Sequence, residues 1–200
     1  ERVVPVLEGL AGAPVALSVD TSKPEVMCAA IDHGADMIND VNAFRAPRAL
    51  ESLVATGVGL CIMHMQGEPR TMQLAPRYDD VVSEVGAYLR ARAEAAERVG
   101  IARDRIVIDP GFGFGKSKQH NLELLRRLRE IAALGWPVLA GLSRKSMLGA
   151  ITGRPVDSRA HASVAAALLA VVNGARIVRV HDVAATRDAI AVFDAMNADA

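Results

Sequence analysis

Arg179 and His181 stand two residues apart at the end of the apolar run IVRVH, so on a strand their side chains leave the same face. A guanidinium beside an imidazole makes an anion clamp, because Arg grips phosphate oxygens bidentately and His adds a donor. The blander alternative is an Arg at a strand rim, paired with an acidic neighbour such as Asp182. Lys145, in GLSRKS, is open to three readings: a surface lysine, a Schiff-base nucleophile, or a positive donor to a carbonyl-bearing ligand. Asp20, Asn39 and Asp109 close three further apolar runs, and polar groups buried there need partners. A heterocycle with an amidine-like N–C–NH2 edge would satisfy them, although any one alone more commonly caps the following helix. His33, His64, His120, His161 and His181 are dispersed, with no H-x-H pair on a strand, which disfavours a hydrolytic metal site.

The segment DPGFGFGKS, Asp109 to Ser117, invites a nucleotide reading that its spacing refuses. A P-loop needs four residues between its first Gly and the Gly-Lys pair, and Gly111 to Gly115 leaves three. A dinucleotide fingerprint needs its third Gly one residue later than it stands here. What is expected is a flexible loop whose glycines let backbone approach a ligand while Phe112 and Phe114 offer flat apolar faces. The alternative is a mobile loop with both aromatics tucked beneath it.

These groups need elements to carry them. Six apolar runs stop at polar residues: VALSVD at Asp20, DMIND at Asn39 and Asp40, VGLCIMH at His64, IVIDPG at Asp109, VLAGLSRK at Lys145 and IVRVH at His181. Strands buried on both faces of a parallel sheet read as such runs, and ligands gather at their carboxyl ends. Amphipathic helices lie between them, one with Val81, Val85, Leu89 and Ala96 on one face and another with Leu122, Leu125, Leu128 and Ile131. Ser22, Pro24 and Glu25 have the spacing of a capping box at a helix start. A first helix is expected from Glu1 through Arg2, Val3, Leu7 and Leu10, and Gly67 to Pro76 is the most loop-like stretch. The fold class expected is α/β, a TIM (β/α)8 barrel with six of its eight βα units recognisable, in a single domain over 1–200 that lacks the first two strands. An open doubly wound sheet is the alternative, and it requires the strand order to reverse in the middle.

Composition narrows the function. With 51% apolar residues and 23 basic against 23 acidic residues, neither disorder nor a polyanionic partner is indicated, so no nucleic acid is expected. The longest uncharged stretch, Ala162 to Ala175, is shorter than the roughly 20 residues needed to cross a bilayer. No signal peptide is expected before the first strand. Cys28 and Cys61 are too few and too far apart for a disulfide framework or a zinc site, and both read as small buried hydrophobes. A soluble, cytoplasmic protein with no membrane partner is expected.

Six motifs, SVDTSKPEV, INDV, MHMQGEPRTMQ, DPGFGFGKSKQHN, GLSRKS and RVHDV, occur in an order and spacing that resembles the dihydropteroate synthases. The resemblance covers nearly the whole chain and implies a (β/α)8 transferase of folate biosynthesis. Its substrates would be 6-hydroxymethyl-7,8-dihydropterin diphosphate and p-aminobenzoate, its products 7,8-dihydropteroate and diphosphate, and its cofactor Mg2+. Carried over residue by residue, the pterin would meet Asp20, Asn39, Val41, Met63, Asp109 and Lys145, of which Asp20, Asp109 and Lys145 would be catalytic. Arg179 and His181 would take the diphosphate, and Gly113, Phe114 and Ser146 the p-aminobenzoate. A homodimer through the apolar stretch Ala162 to Val172 is the family expectation. Two strand-end loops of the family, resembling NVTPDSFSDGG and GGESTRPG, would precede Glu1, and the first supplies the metal's protein ligand. No metal ligand is therefore expected within this chain, and a molecule starting at Glu1 would bind pterin with impaired synthase activity. Two other readings are a folate-dependent methyltransferase barrel, which would not carry GFGFGK followed by GLSRKS and RVHD, and a Schiff-base aldolase using Lys145.

Overall fold

Each of the six apolar runs contributes one strand to the computed structural model, which describes residues 2–198. Glu1, where the first helix was expected to begin, lies outside the described residues. The chain divides into two compact units, one of Glu1–His64 with Ala87–Asp109 and one of Met65–Gly86 with Pro110–Ala200.

In the first unit β1 (Ser18–Asp20), β2 (Met37–Asp40), β3 (Gly59–Met63) and β4 (Ile106–Asp109) form a parallel sheet in the order β1-β2-β3-β4. Neighbours follow chain order without reversal, so these strands lack the switch that a doubly wound sheet requires. The register aligns Asp20 with Asn39, Asn39 with Cys61, Cys61 with Val107 and Met63 with Asp109. Laterally paired residues share a face and alternate residues change face. One face therefore carries Asp20, Asn39, Cys61, Met63, Val107 and Asp109, and the other carries Ile38, Asp40, Leu60, Ile62, Ile106 and Ile108. Ile38, Leu60, Ile62, Ile106 and Ile108 are all 0% exposed, which explains why these strands have apolar residues where a half-exposed strand would be polar.

Helix α1 (Val4–Gly9) buries Leu7 but leaves Leu10 exposed just beyond its end. Helix α2 (Pro24–Asp32) has Pro in its first turn as expected, but Lys23 is the residue that precedes it and no side chain caps it. Ser22 and Glu25 thus make no capping box: spacing alone does not supply the extended backbone at the right residue. Cys28, on α2, is exposed rather than buried, whereas Cys61 is buried. Helix α3 (Val81–Arg98) follows its apolar period throughout, with Val81, Val85, Leu89 and Ala96 all buried.

In the second unit β5 (Leu139–Ala140) and β6 (Ile177–Val178) pair in parallel. The single helix expected around Leu122 to Ile131 is two, α4 (Lys118–Arg126) and α5 (Leu128–Ala132), broken at Arg127. That arginine forms ion pairs with Asp80, Glu123 and Glu130. A capping box starts α4, with the Ser117 hydroxyl accepting from the His120 amide and His120 Nδ1 accepting from the Ser117 amide. Helices α6 (Ser146–Thr152), α7 (Ala160–Val172) and α8 (Val183–Asn197) complete this unit, α6 ending on Gly153 at φ 70°. The stretch 67–76 contains no helix or strand.

Candidate functional site

On the first unit's sheet, Asp20, Asn39, Met63 and Asp109 lie on one face near the strand carboxyl ends. Asn39 Nδ2 donates to Asp20 Oδ2 at 2.8 Å, which orients the amide and the carboxylate toward one another. Asn39 and Asp109 are 3% and 1% exposed and Met63 is fully buried, while Asp20 is exposed. The end of the sheet is thus a row of oxygen acceptors and an amide beside an apolar side chain. A flat heterocycle with adjacent N–H donors fits such a row. Backbone bonds hold it in place: Thr21 N–H donates to Asn39 O at 3.0 Å and His64 N–H to Asp109 O at 2.9 Å.

Asp40, which no site assignment had used, organises the turn that follows. Its carboxylate faces the opposite side of the sheet from Asn39 and is 0% exposed. It accepts from the amides of Asn42 at 2.8 Å and Phe44 at 2.7 Å. Ala43 and Phe44 both have positive φ, 54° and 55°, unusual for residues with a Cβ. The Arg92 guanidinium accepts that strain by donating to the carbonyls of both, at 3.0 Å each. Burial pushes the Asp40 carboxyl above its ordinary range, opposed by the two amide bonds and reinforced by the charge of Asp20. Val41, half-buried, leads into this braced turn directly beyond β2. The sequence signal was available: an Asp one residue beyond Asn39 in an otherwise apolar run.

In the second unit the Gly-rich segment is wired down rather than free. Lys116, 3% exposed, donates from Nζ to the carbonyls of Gly111 at 3.0 Å and Phe114 at 3.1 Å. Asn121 accepts from the Gly113 amide at 2.7 Å, Tyr78 Oη donates to Gly115 O at 2.9 Å, and Gln73 donates to Gly113 O. The flexible loop expected from glycine content is overridden by these side chains, of which Tyr78 and Gln73 come from far away in sequence. Phe112 is 1% exposed and belongs to the core, so Phe114 alone of the two aromatics offers a face. Lys145 Nζ sits 4.3 Å from the Phe114 ring centroid, a cation–π contact, and the Lys145 stem lies along Gly113, where an added Cβ would stand 3.2 Å from Cδ. Gly113, Phe114 and Lys145 are therefore brought together. Lys145 lies beyond β5, as the residue preceding α6, and Ser146 is exposed in the first turn of α6.

Arg179 and His181 differ from expectation in one respect: β6 ends at Val178, so neither lies within the strand. Arg179 keeps one ladder bond, its amide donating to Ala140 O at 3.0 Å, and its guanidinium passes over Gly141, where a Cβ would be 3.1 Å from Nη2. Absence of a side chain at Gly141 is what makes room for it. Ser143 Oγ lies 2.8 Å from His181 Nδ1, and Asp182 pairs with Arg144 at 3.1 Å. Arg179 and His181 are both exposed, as a clamp for a soluble anion requires.

Comparison with known proteins adds an independent line. The family of pterin binding enzymes matches residues 1–181. Dihydropteroate synthase of Haemophilus influenzae is 51% identical over 195 residues, covering 97% of this chain and 71% of that protein. A structure of the Xanthomonas albilineans dihydropteroate synthase in complex with 7,8-dihydropteroate superposes with a TM-score of 0.93 at 52% identity, covering 98% of this chain and 75% of that one. A second structure of that enzyme, with 4-aminobenzoic acid, gives a TM-score of 0.93 at 53% identity over 98% of this chain and 71% of the other. The fold class is thus the TIM-barrel α/β class of these synthases, with parallel pairing within the four-stranded and the two-stranded sheet.

Proposed function

The chain belongs to the pterin binding enzymes, and we propose from that membership that it is a transferase, a dihydropteroate synthase joining p-aminobenzoate to 6-hydroxymethyl-7,8-dihydropterin diphosphate. The observation that carries the reading at the level of residues is the row of Asp20, Asn39 and Asp109 on one sheet face, with Asn39 bonded to Asp20. In this reading that row takes the pterin's amino and ring N–H donors, Val41 and Met63 pack on the ring, and Lys145 donates to its carbonyl side. Arg179 and His181 take the diphosphate, while Gly113, Phe114 and Ser146 meet the p-aminobenzoate.

The C–O bond to diphosphate breaks first, its electron pair leaving with the oxygen, and positive charge develops on the pterin methylene. Carboxylates of Asp20 and Asp109 offset that charge, and the guanidinium of Arg179 with a donor from His181 offsets the charge gained by the leaving group. The aniline nitrogen then forms the C–N bond with its lone pair and loses a proton to solvent. A weak nucleophile attacking a cation needs placement more than a base, and Phe114 supplies a flat wall for it.

Among the described residues no group of three His, Cys, Asp or Glu side chains is arranged to hold a metal ion. Mg2+ is proposed as the cofactor, accompanying the diphosphate substrate. One functional domain in the cytoplasm and a homodimer through α7 complete the reading. Supporting the dimer, α7 leaves Leu169 51% and Val172 36% exposed while burying Ala166, Ala167 and Ala170. Among the described residues no helix is long and apolar enough to cross a membrane.

The test is calorimetry of Arg179→Ala with pterin diphosphate and with the unphosphorylated pterin, beside an assay of diphosphate release with and without p-aminobenzoate. Selective loss of the diphosphate form, with release dependent on p-aminobenzoate, is expected. Equal losses for both ligands remove the anion role, and pterin binding without release reduces the chain to a binding protein.

A further inference from the structure

We propose that Ser143 is a positioning residue for the leaving group, holding the His181 ring so that its Nε2–H is the donor offered to the diphosphate. The inference rests on the assignment of His181 to that anion. His181 is exposed and lies beyond the end of β6, so the strand ladder does not fix its ring. Ser143, by contrast, is 7% exposed. Two bonds join them: the His181 amide donates to Ser143 Oγ at 3.2 Å, and Oγ lies 2.8 Å from His181 Nδ1.

The direction proposed for the second bond follows from the partners available to the hydroxyl. A serine hydroxyl has one proton to give and two lone pairs to accept with. The His181 amide occupies a lone pair, and Nδ1 is the hydroxyl's one acceptor among the described residues. In the proposed arrangement the hydroxyl proton goes to Nδ1, and in the neutral ring the remaining hydrogen sits on Nε2. If the ring is protonated, Nδ1–H donates to Oγ instead and Nε2–H is retained. Either state presents a donor, never a lone pair, to a phosphate oxygen.

The serine is itself held from behind. Its neighbour Arg144 has a φ of 59°, and the Arg144 amide donates to Ser163 Oγ at 2.9 Å. Arg159 Nη1 donates to Arg144 O at 3.0 Å, and Arg144 Nη2 reaches Asp182 Oδ1 at 3.1 Å. Consecutive pairs, Ser143 with His181 and Arg144 with Asp182, thus bracket the segments that follow β5 and β6. Among the described residues the Ser143 hydroxyl bonds only to His181, at its ring and its amide, so its removal leaves the anchors at Arg144 in place while the ring and the amide of His181 lose this partner.

Four proteins decide the matter: the full chain, Ser143→Ala, His181→Ala and the double variant, each titrated by calorimetry with pterin diphosphate and with unphosphorylated pterin. Ser143→Ala should weaken the diphosphate form by about threefold to tenfold, the worth of one neutral hydrogen bond, and leave the unphosphorylated form unchanged. The double variant should be no weaker than His181→Ala alone. Long-range 15N NMR of the folded Ser143→Ala protein should show His181 passing from a single Nε2–H tautomer to a mixture, a change that a purely structural role would not produce. Additive losses in the double variant, or an unchanged tautomer with unchanged affinity in Ser143→Ala, overturn the proposal. Should His181→Ala bind pterin diphosphate as tightly as the parent, the anion assignment of His181 fails and this inference with it, and a retained tautomer shift identifies that assignment as the point of failure.

Discussion

Replacing Asp40 tests how the acceptor row is supported. Its buried carboxylate takes the amides of Asn42 and Phe44, and Ala43 and Phe44 are held at positive φ between them. In Asp40→Ala two amides lose their acceptor, each worth about 1–3 kcal/mol when left unpaired and buried. Removal of a desolvated carboxylate and relaxation of the strained turn offset part of that. A net loss of about 2–4 kcal/mol follows, or roughly 5–15 °C in Tm for a chain of this size. Asp40→Asn keeps one acceptor but turns an NH2 toward the other amide, so an intermediate loss of about 1–2 kcal/mol is expected. Because the turn carries Val41, two residues beyond Asn39, KM for the pterin substrate should rise in both variants.

Titration gives the same residue a second test. Burial raises the folded carboxyl above its ordinary 3.8, so between 3.8 and the raised value the unfolded chain has released a proton that the folded chain still holds. Stability contributed by this group is therefore fullest below 3.8, falls as pH rises through that window, and is level above it. Urea unfolding of the parent and Asp40→Asn across the window should show the parent's advantage shrinking as pH rises. An advantage that grows with pH would mean that the two amide bonds outweigh burial, and the reasoning fails.

Lys116→Met removes the ammonium that joins the carbonyls of Gly111 and Phe114, so about 1–3 kcal/mol of stability should be lost in denaturant unfolding. With Phe114 released, KM for p-aminobenzoate should rise while pterin affinity in calorimetry stays near its parent value. Gly141→Ala would place a Cβ 3.1 Å from Arg179 Nη2, forcing the guanidinium aside. Initial-rate kinetics should then show KM for pterin diphosphate raised several-fold, about 1 kcal/mol, with KM for p-aminobenzoate unchanged.

Much of this arrangement is legible in the chain itself. Burial on both faces leaves few residue types for a parallel strand, so the six apolar runs and their polar ends identify the strands, and 3.6-residue spacing identifies α3. Asp20, Asn39 and Asp109 could be named as candidates because each stands at such an end, whereas Met63 entered only through the motif resemblance. That they share a face depends on the lateral register of separate strands, which hydrogen bonding between distant segments sets. Local spacing misled where tertiary contacts override it: Ser22 caps nothing, Arg127 breaks a continuous apolar period, and Lys116, Asn121 and Tyr78 immobilise a segment whose glycines suggest freedom. Sequence determines which groups are available, because residue type and period are local properties. Only the folded chain decides that Ser143 meets His181 and that Asp40 braces a strained turn, because bonds between residues far apart in sequence, or around a left-handed backbone, leave no periodic trace.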